Sequence, residues 1–378
     1  PGGAVDLEAR RRGQTLYAAD GRIPLHPPVL GEDRASLLPG VDRSAYLWSF
    51  ELDDAGIVTT MRLERALVRS SEQLSYLEAQ ERIDAEASDP LDLLREIGLA
   101  RIEQERARGG ASLNVPDEEI VRTDDGHYAL RRRHLLPVES WNAQLSLMTG
   151  MAAAELMLEA EVGVLRTMPP PTDERIAAFR MQTEALGRPW PETVTYGEYL
   201  RALDRDDPAS LAIMQAASGL FRGAGYEAMD GEAPADPVQS ALASPYAHVT
   251  APLRRLVDRW GLVVCEALTA GRSVPGWARD SLHELPALMG ASSQRASRLA
   301  AASVNRVEAA VLADRVGQRF TATVLELRDD DALIQLTEPA VTANCPAAPG
   351  LRAGERITVV LERADIREGS VGFRPVPD

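Results

Sequence analysis

The feature that most constrains this chain is a change of period at Gly317. Upstream, residues 287–315 place Ala296, Leu299, Ala300, Ser303, Val304, Val307 and Val311 at a spacing near 3.6, which predicts a helix. Downstream that period is lost and alternation replaces it. The runs 319–327, 332–336, 340–345, 356–364 and 370–375 read as five short strands. Five strands in a span of about sixty residues is the arithmetic of an OB-type barrel, which commonly binds oligonucleotides. The same count also fits a barrel that serves only as packing. Residues 318–378 carry seven Arg against ten Asp and Glu, with Phe320 and Phe373 as their aromatic residues, so a strong nucleic-acid surface is not expected there.

The region before Gly317 reads as helices and hairpins. A short helix over 4–13 closes at Gly13, and a proline-rich stretch covers 22–31. Alternating runs at 44–52 and 57–68 flank Asp53-Asp54-Ala55-Gly56 and predict a hairpin. Residues 71–108 look helical with a break at Asp89-Pro90, and a second hairpin is expected over 118–133, turning at Asp124-Asp125-Gly126. Residues 137–166 read as one long buried helix. Further helices are expected near 173–186, 195–204 and 208–222, followed by a loop over 223–244 and a helix over 251–271 with Pro252 in its first turn. The expected fold class is therefore α+β: a helix-rich domain with a mixed sheet, then a five-stranded OB-fold barrel.

Composition removes several kinds of chemistry. All 41 basic residues are arginine, so lysine-dependent phosphate loops and kinase sites are excluded. The 57 acidic residues leave a net charge of −16, which argues against a general coat of positive charge but permits a local basic channel. Cys265 and Cys345 lie far apart without zinc spacing, which fits reduced thiols in a cytoplasmic protein. His26, His127, His134, His248 and His283 form no metal pair. Asp53-Asp54, Asp204/Asp206/Asp207 and Asp329-Asp330-Asp331 are read as turns and caps. No run of apolar residues is long enough to span a bilayer, and neither a signal peptide nor membrane association is expected.

One segment stands apart. SPYAHVTAPLRRLVDRW (244–260) gathers Tyr246, His248, Thr250, Arg254, Arg255, Arg259 and Trp260 around an expected helix start, where Thr250 and Pro252 suit a capped N-terminus. Free N–H groups and paired arginines make such a place suitable for phosphate. Residues 246–306 hold eight Arg against four acids, a local +4.

At these residues the sequence resembles the ribonuclease II family of RNB-domain exoribonucleases. YAHVTAPLRRLVD resembles that family's Y-x-H-x-T-S-P-I-R-R-Y-x-D, with Ala251 in place of Ser and Leu256 in place of Tyr. Residues 7–46, VRSSEQLSYLEAQ (68–80), WNAQLSLMTGMAAAELM (141–157) and RLAAASVNRVEAAVLADRVGQRF (298–320) resemble further family blocks in the family's order. The resemblance implies processive 3′→5′ hydrolysis of single-stranded RNA to nucleoside 5′-monophosphates, assisted by two Mg²⁺ ions. It implies that Arg254 contacts the scissile phosphate and that Tyr76 stacks on the 3′-terminal base, with Tyr246, His248, Thr250 and Arg255 as further RNA-binding residues. It also implies an RNB-like domain over 1–316, its N-terminal part missing, and an OB-fold RNA-binding barrel over 317–378. A monomer is expected. Two departures accompany the resemblance. The family's metal-binding aspartate cluster, D-x-x-x-x-x-D-x-D-D, is expected upstream of Pro1. Ala301 occupies a position that is usually acidic in the family. The rival reading is a non-catalytic RNA-binding relative on the same scaffold.

Overall fold

The computed structural model describes residues 1–85, 90–111, 117–122, 128–133, 135–204, 207–328, 330–339 and 341–376. The expected turn at Asp124-Asp125-Gly126, His127, His134, Asp89, Asp206 and Asp329 lie outside these. The fold mixes helices with small antiparallel sheets and ends in a five-stranded barrel.

The principal core forms around two helices. Pro137–Glu159 presents Ala153, Ala154 and Met157, and the small alanines let neighbouring elements approach closely. Leu256–Thr269 is buried along most of its length, from Leu256 through Ala267, as an apolar helix must be. Between them runs the strand Val162–Thr167, nearly all buried and paired antiparallel with Gly225–Asp230. The long hairpin Asp42–Leu52 and Val58–Arg69 pairs Trp48 with Leu63 and lays Leu63 into the same core.

Three expectations are corrected here. The single helix expected over 137–166 stops at Glu159, where Glu161 adopts a positive φ of 51° and the chain turns into the strand Val162–Thr167. Continuous apolarity fits a buried strand as well as a buried helix, so periodicity could not separate them. The loop expected over 223–244 contains the partner strand Gly225–Asp230. The helix expected from residue 251 begins at Leu256, with Arg255 extended at its N-cap. The helical stretch over 71–108 divides, in line with its expected break, into Tyr76–Asp84, capped by Ser75 and Glu78, and Leu91–Arg108.

A separate cluster joins Phe179, Tyr199, Leu200 and Ile213 from the helices over 173–218 with Leu220 just beyond them and Leu325 of the barrel. The barrel strands Arg319–Arg328, Asp331–Leu336, Thr342–Pro346, Arg356–Asp365 and Ser370–Pro375 follow the expected spans closely and pair antiparallel throughout. Their interior holds Phe320, Val324, Ile334, Val359, Leu361 and Phe373. Among the described residues no helix is long and apolar enough to cross a membrane.

Candidate functional site

The segment 244–255 threads between the two core helices, and two glycines make room for it. A Cβ on Gly150 would lie 2.1 Å from Tyr246 Cε2, and one on Gly261 would lie 2.9 Å from the His248 carbonyl oxygen. Tyr246 is therefore held with its ring buried against Met151 and Leu242. Its backbone carbonyl accepts a hydrogen bond from Arg166 N at 2.7 Å, and Ala247 N donates to Gly150 O at 3.0 Å.

His248 lies beside this ring. It meets Tyr246 edge-on at 5.3 Å, and its Nδ1 shares a 2.8 Å hydrogen bond with the Tyr226 hydroxyl. The Arg166 guanidinium stacks over Tyr226 at 4.7 Å. Burial, then the positive charges of Arg255, Arg166 and Arg254, push His248 down to about 2, so it is neutral across the physiological range.

The two adjacent arginines have different fates. Arg255 forms a two-pronged pair with Asp258, Nε to Oδ2 and Nη2 to Oδ1, both at 2.9 Å. Asp258 is fully buried and also accepts from Ala251 N at 2.7 Å, which closes residues 251–255 into a tight turn. The turn is tied to the chain's first elements: Thr15 N donates to Arg254 O and Leu256 N to Gly13 O, each at 2.9 Å. Gly13 accepts a φ of 73° there. This fastening leaves the Arg254 side chain exposed. Of the eight arginines between 246 and 306, Arg255, Arg259, Arg272 and Arg279 pair with carboxylates, and Arg295 and Arg306 donate to backbone carbonyls. Among the described residues, Arg254 and Arg298 make neither kind of bond. The local positive excess thus resolves into two free guanidinium groups.

Arg254 lines a cavity of about 680 Å³ together with Thr250, Thr15, Tyr17, Tyr46 and Trp48. Tyr17 is 53% exposed. Tyr76 does not line this cavity; it opens the helix Tyr76–Asp84 and its hydroxyl accepts a 3.2 Å hydrogen bond from Asn142 Nδ2. Tyr246 and His248 lie behind the cavity in the packed cluster just described. The sequence reading missed Tyr226 and Arg166, which sit on strands taken there for loop and helix. It also missed the position of Tyr17, which adjoins Arg254 only because Gln14 and Arg255 form an isolated β-bridge. Among the described residues no three His, Cys, Asp or Glu side chains group as metal ligands. The donor set present does not fit a Mg²⁺ pair.

Comparison with known proteins gives a consistent pattern. Residues 1–268 match the RNB domain model and residues 318–376 match the RNase II-type exonuclease C-terminal S1 domain. The exosome complex exonuclease dis3 of Schizosaccharomyces pombe is 29% identical over 287 residues, covering 68% of this chain and 28% of that protein. The chain thus spans less than a third of that relative. Mycoplasma genitalium RNase R bound to ribose-methylated single-stranded RNA superposes with a TM-score of 0.86 at 15% identity, covering the whole of this chain and 64% of the other. Yeast Ssd1, a pseudonuclease, superposes with a TM-score of 0.70 at 17% identity, covering 96% of this chain and 47% of Ssd1.

Proposed function

This chain belongs to the RNB-domain ribonuclease family, and on that premise we propose that it degrades single-stranded RNA processively from the 3′ end, releasing nucleoside 5′-monophosphates. The observation that carries this reading is the contrast at the arginine pair. Arg255 is consumed by Asp258, whereas Arg254 stands exposed in an aromatic-lined cavity with no carboxylate partner. A free guanidinium in a walled site is suited to a phosphodiester whose negative charge grows during displacement.

In this reading Arg254 engages the scissile phosphate and Thr250, exposed beside it, contributes a hydroxyl. Arg255 acts through Asp258 as a positioning residue for the turn. Neutral His248 and buried Tyr246 fix the floor. The stacking aromatic is Tyr17 or Tyr76: the cavity favours Tyr17, and the family resemblance favours Tyr76. Residues 1–316 form the ribonuclease domain and 317–378 the RNA-binding barrel. Enzymes of this family are metal-dependent; bound Mg²⁺ would supply an activated water and stabilise the leaving oxygen. The described residues of this chain do not provide its ligands.

The likeness to yeast Ssd1, a pseudonuclease, supports a second reading, a scaffold that binds RNA without cutting it. The test uses the full-length protein and a 5′-labelled single-stranded RNA. Stepwise shortening to a small end product, slowed by about a hundredfold or more in Arg254→Ala, is expected. RNA bound but left intact would favour the second reading. Unchanged cleavage and affinity in Arg254→Ala would remove the phosphate role.

A further inference from the structure

A second cavity, of about 440 Å³, opens between the helix Leu285–Leu312 and the start of the strand Gly225–Asp230. Its volume falls within the range of about 300–1,000 Å³ usual for small-molecule sites. Arg166 and Arg298 both line it, and no carboxylate does. Arg298 is the second of the two free arginines identified above. Arg166 spends one N–H on the Gly225 carbonyl, Nη1 to O at 3.3 Å, and stacks over Tyr226, which fixes its plane and leaves its remaining donors uncommitted.

The helix face between the two arginines is suited to a polar guest. Gly290, Ser293, Gln294 and Ser297 recur at intervals of three and four, so all present to the cavity. Three of them carry hydrogen-bonding groups, and the glycine removes bulk. A Cβ on Gly290 would meet no atom within 4 Å, which confirms open space above that turn. Two guanidinium groups without acids, with hydroxyl and amide donors between them, form a receptor for a compact, multiply charged oxyanion.

We propose that this cavity binds a phosphate monoester dianion and, resting on the exoribonuclease reading, that its occupant is the released nucleoside 5′-monophosphate. Held there, product would lie beside Tyr226, in a cavity that Arg254 does not line. A monoester carries up to two charges where an internal phosphodiester carries one, so paired arginines favour the product over the uncut chain.

The test is calorimetric titration of the full-length protein in the Arg254→Ala background, which disables the principal cavity. AMP and inorganic phosphate are the probes and adenosine is the control. AMP and phosphate are expected to bind and adenosine is not. Adding Arg298→Ala should weaken AMP by at least about tenfold, the scale of one charge-assisted hydrogen bond. Adding Gly290→Leu instead should weaken it similarly by filling the cavity, without disturbing a helix that tolerates leucine better than glycine. Absence of AMP binding in the Arg254→Ala protein, or AMP affinity unmoved by both added changes, would overturn the proposal. RNA cleavage measured on the wild type separates the two layers. Binding at this cavity in a protein that does not cleave RNA keeps the phosphate site and removes its assignment to product. Cleavage without such binding removes the site and leaves the function standing.

Discussion

Arg254 and Arg255 are adjacent and chemically identical, yet one is structural and the other available. The difference is the buried Asp258, three residues on, which accepts both prongs of Arg255 and the Ala251 amide. His248 is another residue set by its surroundings. Its folded value of about 2 lies below the ordinary 6.5, so the unfolded chain takes up a proton first as pH falls. The stabilising effect of keeping it neutral is therefore complete above about pH 6.5 and declines below, by up to about 1.4 kcal/mol per pH unit. Urea unfolding of wild type and His248→Gln between about pH 6.5 and pH 5 should show the wild type losing more stability. Equal losses would mean that His248 does not govern that dependence. For the two candidate stacking tyrosines the geometry makes unequal predictions. Tyr17→Ala is expected to weaken single-stranded RNA by about 1–3 kcal/mol, the worth of one base–aromatic stack. Tyr76→Ala should cost less if Tyr17 is the platform, and gel-shift titrations of both variants decide which ring carries the stack.

At the scale of elements, the segment 244–255 owes its path to Gly150 and Gly261. Replacing Gly150 by Ala drives a methyl into the Tyr246 ring, and overpacking of this kind costs about 1–3 kcal/mol. A lowered midpoint in urea is the expected measurement, with RNA affinity falling alongside because the Arg254 turn continues the same segment. The same segment shows where sequence reasoning reaches and where it stops. The barrel was legible because each strand alternates and is bounded by turn residues. The strand Val162–Thr167 was not, because it is buried on both faces and shows no alternation. Pro252 suggested a helix start, but the turn that Asp258 closes delays the helix to Leu256, a tertiary effect that local pattern does not record. Arg254, Thr250 and Arg255 could be named from their motif. Tyr17 and Arg298 could not be placed, because their neighbours come from distant parts of the chain.

Across the whole molecule, one helix ties two cores together. Leu285 and Met289 at its start belong to the principal core, while Leu312 at its end is buried in the barrel. Its 28 residues span roughly 42 Å as a single rod. The barrel is held from a second side, where Gln182 Nε2 donates to Leu325 O at 2.9 Å. The net charge of −16 sits on this frame, so on the proposed function attraction for RNA is expected from arginines without acidic partners, Arg254 among them. RNA affinity should fall steeply with salt, and Arg254→Ala should reduce the slope of log K against log salt by about 0.7, the value for one phosphate contact on a single strand. An unchanged slope would mean that Arg254 meets no phosphate. Finally, both cysteines are buried, Cys265 at 0% exposure and Cys345 at 1%, burial raises both thiols, and the chain has no lysine. Its surface is therefore nearly silent to thiol- and amine-directed reagents. A single cysteine introduced at an exposed site would carry a fluorophore or spin label against almost no background, so movements of the frame could be followed optically.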